Sequence, residues 1–249
     1  MPIRAVLWDI DDTIFDYSAA ERAGVLTHLR SEGLLSAFEA DGAAGAVGAV
    51  ENEAVARWHA AMNLHYERFL AGEITWAEQR RERVRAFLGP DVPDEAADAW
   101  FAAYYVHFEA AWAVFPDVVP ALDALTPGYR HGLLSNSATA HQERKLARLG
   151  LRDRFEFLLC SQELGYAKPA PEAFLAACEA LGLPPAEVAY VGDKADTDAR
   201  GANAAGLHGV WLDRTGSVTA PDLRRITGLA QLPALLAADT RFGAPSSIG

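Results

Sequence analysis

Residues 3–13 read IRAVLWDIDDT, a short and nearly continuous apolar run that ends in Asp9, Asp11 and Asp12, three aspartates in four positions. A run with no polar alternation suits a strand buried on both faces of a parallel sheet. The acids then fall at the carboxyl end of that strand, which is where open parallel sheets bind ligands. Like charges about 4 Å apart repel by roughly 4 kcal/mol per pair at an effective dielectric near 20. Such a cluster must be solvated, protonated or neutralised by a cation.

Similar runs recur at GLLS (132–135), FEFLLC (155–160), EVAYVG (187–192) and HGVWL (208–212). Helical patterns lie between them, among them AHQERKLARLG (140–150) and PEAFLAACEALG (171–182), each closed by the glycine that commonly follows a helix C-terminus. Strand and helix alternate, so the fold class is α/β, a Rossmann-like parallel sheet with right-handed crossovers. One interval breaks the alternation. Residues 16–112 contain no buried strand pattern, only helix-like stretches rich in Ala, Glu, Arg and aromatics. They read as an α-helical cap domain inserted after the first strand. Trp58, Met62, Tyr66, Trp100, Tyr104 and Phe108 recur at helical spacing and read as its packing core. The expected organisation is a core domain of residues 1–15 and 113–236, a cap of 16–112 and a polar tail of 237–249.

Bulk properties narrow the function. A chain of 249 residues suits one core domain plus an insertion, and 51% hydrophobic against 22% charged residues is an ordinary globular balance. The formal charge of -12 argues against nucleic acid as a partner, since phosphate-backbone binding leans on clustered Lys and Arg. The two cysteines, Cys160 and Cys178, form no CxxC or Cys/His pattern, so neither a disulfide framework nor a zinc site is indicated. With no signal-like N-terminus and no apolar run of membrane-spanning length, the expected setting is cytoplasmic and away from membranes.

The residues just after each apolar run are consistent in kind. Asp9 and Asp11 follow the first; Ser135, Asn136 and Ser137 close the second; a loop after the third reaches Lys168; Asp193, with Asp198 five residues on, follows the fourth. In order and spacing these resemble the four motifs of the haloacid dehalogenase superfamily of phosphohydrolases. Asp9-Ile10-Asp11-Asp12-Thr13 stands for the first, LLS with Ser135 for the second, Lys168 of GYAKPAPEAF for the third and Gly192 to Asp198 for the fourth. Any one motif alone is weak, whereas four in register are specific.

The resemblance implies a division of labour suited to phosphoryl transfer, which needs a nucleophile, charge neutralisation and a proton for the leaving oxygen. It makes Asp9 the nucleophile that forms an aspartyl phosphate, and Asp11 the acid and then the base. It implies Mg²⁺ held by Asp9, the Asp11 main-chain carbonyl and Asp193, with Asp198 and Thr13 in supporting positions. Ser135, Asn136 and Lys168 would meet the phosphoryl oxygens. Asp12 and Asp196 read as loop or capping groups, and the prolines of KPAPEAF as the entry to a helix.

Asp11 also selects a branch, because the dehalogenases of the superfamily lack an aspartate there. The stretches DIDDTIFDYSAAE, GEITWAEQRRER and SNSATAHQERKL look closest to pyrimidine-type nucleotidases and acylneuraminate phosphatases. That likeness nominates Arg83 as a substrate contact, against the plainer reading of RRER as a solvated helix face. The expected substrate is a small phosphorylated metabolite, first a nucleoside 5'-monophosphate and next a sugar phosphate. A phosphomutase shares these residues. A receiver-like phosphoacceptor domain shares the residue types, but it is contiguous, about half as long, and carries its phosphoacceptor after a later strand.

Overall fold

The computed structural model describes residues 2–35, 47–216 and 220–241, and the chain divides into two compact units, Met1–Asp16 with Ala113–Gly249, and Tyr17–Trp112.

The first unit is built on six parallel strands: β1 Ala5–Trp8, β2 Arg130–Ser135, β3 Leu158–Cys160, β4 Val188–Gly192, β5 His208–Leu212 and β6 Arg224–Ile226. They lie in the order β3-β2-β1-β4-β5-β6. This doubly wound order reverses direction between β1 and β4, and the crevice beyond the strand ends at such a reversal is the usual ligand site. Ala5 is paired with both Arg130 and Val188, and Trp8 with both Leu133 and Val191, so β1 sits at the centre. All four of its residues are completely buried, as are Val188, Ala189, Tyr190 and Val191 of β4, which is why those runs lack alternation.

The first, second and fourth runs pair as parallel strands over most of their length. FEFLLC yields only three strand residues, Leu158–Cys160: Phe155 caps the helical turn Arg152–Arg154, while Glu156 and Phe157 each exchange one backbone bond with β2, at His131 and Leu133. β6 has no counterpart in the sequence reading. It is an edge strand whose two arginines are exposed or half-buried, so it carries no apolar run.

Helices cover the sheet: α5 Val118–Leu125, α6 Thr139–Arg148, α7 Ser161–Leu164, α8 Pro171–Leu181, α9 Gly201–Ala204 and α10 Leu232–Arg241. Gly150 and Gly182, after α6 and α8, take φ of 69° and 62°, the left-handed geometry that glycine adopts without strain. α10 runs past residue 237, where the polar tail is expected to begin. Leu232 and Leu236, one turn apart, are fully buried and anchor it; residues 242–249 lie outside the described residues.

Among the described residues of the second unit the regular elements are four helices: α1 Tyr17–Ser31, α2 Val47–Leu70, α3 Trp76–Leu88 and α4 Asp94–Ala110. Trp58 of α2 is fully buried, and its ring lies 4.8 Å from Tyr104, 5.2 Å from Trp100 and 5.3 Å from Phe87, centroid to centroid. Trp58, Tyr104 and Phe108 are core, while Met62, Tyr66 and Trp100 are half-buried at its margin. α1 meets α4 at Gly24, where a Cβ would lie 2.7 Å from the Phe108 Cα, so only glycine permits that approach. Thr75 and Glu78 form a capping box that starts α3. Among the described residues no helix is long and apolar enough to cross a membrane.

Candidate active site

The site lies beyond the carboxyl ends of β1, β2 and β4. Asp9 directly follows β1 and is still tied into the sheet, its N–H donating to the Val191 carbonyl at 2.9 Å. The chain then turns sharply. The Ile10 carbonyl accepts from the N–H groups of Thr13, Ile14 and Phe15, and Asp12 takes φ of 58°. Asp12 is thus a turn residue in left-handed geometry, a conformation aspartate tolerates better than most residues. Thr13 is buried and its hydroxyl donates to Asp9 Oδ2 at 3.3 Å.

Lys168 supplies the counter-charge. It is buried, and its ammonium donates to Asp9 Oδ1 at 2.7 Å, Asp198 Oδ1 at 2.7 Å and the Tyr190 hydroxyl at 2.6 Å. Burial works against its charge, but Asp198 and Asp9 outweigh that and hold it well above the usual lysine range. Asn136 holds the chain beside Lys168. Its carboxamide accepts from the Lys168 N–H and donates to the Lys168 carbonyl, both at 2.8 Å, so it fixes the loop that presents the ammonium.

Asp193 and Asp198 come from the turn after β4. Ala195–Arg200 forms a π-helical turn that brings Asp198 back under the strand end. Its Oδ2 accepts from the Lys194 N–H at 2.9 Å, and Gly192 makes room for it, since a Cβ there would lie 2.4 Å from that oxygen. One carboxylate oxygen each from Asp9, Asp193 and Asp198 lies within 4.8 Å of the others. Burial, reinforced by Asp9 and Asp198, pushes the Asp193 carboxyl up to about 8. Burial, with Asp198 and Asp11 adding to it against the pull of Lys168, pushes Asp9 up to about 6.

Such crowding is what a bound cation relieves. Hard oxygen donors in this number suit Mg²⁺, and Asp9 and Asp193 have oxygens to give. Asp198 is already committed at both oxygens, to Lys168 and to the Lys194 N–H, which fits it better for support than for direct ligation.

Two residues of α6, Gln142 and Lys145, belong to the site and were missed in the sequence reading. Lys145 is completely buried and its ammonium pairs with Asp11 Oδ1, while Gln142 Nε2 donates to Asp11 Oδ2 at 2.9 Å and to Ser135 Oγ at 3.2 Å. Burial tends to raise the Asp11 carboxyl, but Lys145 prevails, helped by His141 and Gln142, and holds it below the ordinary value. The signal was present in SNSATAHQERKL as two polar residues three apart on the α6 face that also carries buried Leu146. Tyr190 was hidden inside an apolar strand run.

Arg83 belongs to the helical unit. It is buried there, pairs with Glu21 at 2.5 Å and lies over Trp58, its guanidinium carbon 3.9 Å from the ring centre. It is therefore not part of a solvated face, and its charge is met within its own unit. Arg81, two residues earlier, carries the exposed pairing, with Asp94 and Asp98.

Comparisons with known proteins place the chain in a family. A family model described as haloacid dehalogenase-like hydrolase matches residues 3–206. The chain is 31% identical to a glyceraldehyde 3-phosphate phosphatase of Methanopyrus kandleri over 85% of its length and 84% of that protein's. It is 31% identical to a phosphoserine phosphatase of Thermus thermophilus over 89% of its length and 95% of that protein's. A pyrimidine 5'-nucleotidase of Escherichia coli, YjjG, is 39% identical over 99 residues, 39% of this chain and 44% of that one. In fold, the chain resembles the magnesium-bound HAD-hydrolase YfnB of Bacillus subtilis with a TM-score of 0.74 at 20% identity, over 95% of this chain and 99% of that chain.

Proposed function

We propose that this chain, a member of the haloacid dehalogenase-like hydrolases, is a magnesium-dependent phosphomonoester hydrolase that works through an aspartyl phosphate on Asp9, with a nucleoside 5'-monophosphate as its first substrate. The coarser statement, a phosphatase acting on small phosphorylated substrates, follows from the family and from relatives so named. The observation that supports the magnesium and aspartyl-phosphate chemistry is Asp9 itself, and the nucleotide reading is supported by the likeness to a pyrimidine 5'-nucleotidase. Asp9 stands at the switch point with Lys168 on one oxygen and Asp193 beside it.

Lys168 holds Asp9 Oδ1 at 2.7 Å and the Thr13 hydroxyl meets Oδ2 at a longer 3.3 Å, so the carboxylate is oriented for one oxygen to attack phosphorus. As that bond forms, the ester P–O bond breaks and the leaving oxygen takes a proton from Asp11. A phosphate arriving with its own negative charge opposes the hold of Lys145 on Asp11 and favours a proton there. Water then attacks the aspartyl phosphate, gives its proton to Asp11 and releases inorganic phosphate. Ser135 is placed to donate to a transferring oxygen, and the Lys168 ammonium, whose three N–H groups are engaged by Asp9, Asp198 and Tyr190, offers those oxygens its charge. Magnesium held by Asp9, the Asp11 main-chain carbonyl and Asp193 would supply charge neutralisation on those oxygens. Arg83 carries no step in this reading, because Glu21 already satisfies its charge.

A sugar or triose phosphate is the second substrate reading, favoured by the phosphatase relative that aligns over most of the chain. Phosphate release from a panel of nucleoside monophosphates, phosphosugars and phosphoserine, with magnesium and with a chelator, separates these. Turnover of pyrimidine nucleotides above the others, lost with the chelator, is the expected result. No magnesium-dependent release from any monoester would refute the proposal.

A further inference from the structure

The reaction above leaves Lys145 and Gln142 without a task, although both are completely buried. Taking an ammonium out of water costs several kcal/mol, and an apolar side chain of similar volume would fill the same space more cheaply.

The contacts are arranged around one carboxylate. Oδ1 of Asp11 is taken by Lys145 and Oδ2 by Gln142, two residues three apart on one face of α6. A carboxylate anchored at both oxygens cannot rotate about its last torsion. The Gln142 amide also reaches Ser135 Oγ at 3.2 Å, so the same helix ties Asp11 to the hydroxyl at the end of β2. The ring of Phe15 lies 4.2 Å from the Lys145 ammonium and closes its pocket.

We propose that Lys145 and Gln142 are positioning residues that fix the Asp11 carboxylate in the orientation from which it exchanges a proton with the substrate's leaving oxygen. The inference rests on the reading of Asp11 as the acid and base. It predicts an effect graded by leaving group, because a poor leaving group needs that proton and a good one does not.

The test compares kcat/KM for an alkyl phosphate and for 4-nitrophenyl phosphate, with magnesium, in the parent, Lys145→Met, Lys145→Gln and Asp11→Asn. Since kcat/KM reports only through the first irreversible step, it isolates phosphorylation of Asp9 from the later hydrolysis. Lys145→Met is expected to lose about 10- to 100-fold on the alkyl ester and under about threefold on the nitrophenyl ester, a share of what general acid catalysis contributes. Lys145→Gln, which keeps a donor, should lose less on the alkyl ester. Asp11→Asn should show the same selectivity in larger measure.

A folded Lys145 variant that slows both esters equally, or neither, while Asp11→Asn stays selective overturns the positioning role alone. Failure of both Lys145 variants to fold assigns the lysine to stability and overturns it as well. An Asp11→Asn variant that slows both esters equally refutes the acid assignment itself, and the inference falls with it.

Discussion

Replacing Lys168 by methionine tests the electrostatic argument in the absence of any substrate. The ammonium touches Asp9 and Asp198 at 2.7 Å and is almost wholly out of water. Without it, Asp9, Asp193 and Asp198 keep one oxygen each within 4.8 Å of the others. At that distance and an effective dielectric near 20, each ionised pair repels by about 3.5 kcal/mol. The carboxyls will take up protons before bearing all of this, so the expected loss is that of a broken buried pair, about 3–5 kcal/mol. A divalent cation binding the same oxygens should return part of it, about 2.7 kcal/mol at a hundred times its dissociation constant. Urea unfolding of parent and Lys168→Met, in chelator and in excess magnesium, measures both quantities. A variant within about 1 kcal/mol of the parent in chelator, or one whose stability ignores magnesium, would show that the acids are not held together as described.

Other predictions address the chemistry and the frame. Asp9→Asn should abolish phosphate release while leaving the unfolding midpoint near the parent's, because a neutral amide relieves the crowding around Asp193; retained turnover would remove Asp9 as nucleophile. Gly192→Ala places a Cβ 2.4 Å from an Asp198 oxygen that is pinned by its neighbours, and should cost about 1–3 kcal/mol and weaken the magnesium dependence of activity. His131 is buried and accepts from the Trp8 indole N–H at 3.1 Å, and burial pushes its imidazole down to about 4. The unfolded chain therefore binds a proton near pH 6.5 that the folded one refuses until about 4, so stability is full above 6.5 and is lost as pH falls across that window. The loss reaches about 1–3 kcal/mol. His131→Gln, which keeps an acceptor for Trp8, should flatten that part of the stability-pH curve, and an unchanged slope would refute the assignment.

The fold was legible because burial on both faces removes alternation, so Ala5–Trp8 and Val188–Gly192 announce themselves as apolar runs. β6 and α10 were not legible for the converse reason. An exposed edge strand of two arginines and an isoleucine leaves no such run, and α10 is a short helix whose buried Leu232 and Leu236 give a single turn of spacing. Arg83 shows the same limit on a helix. Spacing places it in a charged run, and only the packing of α1 and α2 around α3 reveals that Glu21 and Trp58 enclose it.

The sequence by itself determined which chemical groups stand at the strand ends, because a strand's carboxyl end follows from where its apolar run stops. Asp9, Ser135 and Asp193 are placed by that rule alone. Tertiary structure decided which atoms meet: that Lys168 spans Asp9 and Asp198, that Asn136 holds the Lys168 backbone, and that Lys145 and Gln142 share Asp11 between them. Those partners lie between 30 and 159 residues apart along the chain. No local pattern encodes such distances, because they are fixed only when the sheet order brings β1, β2 and β4 side by side.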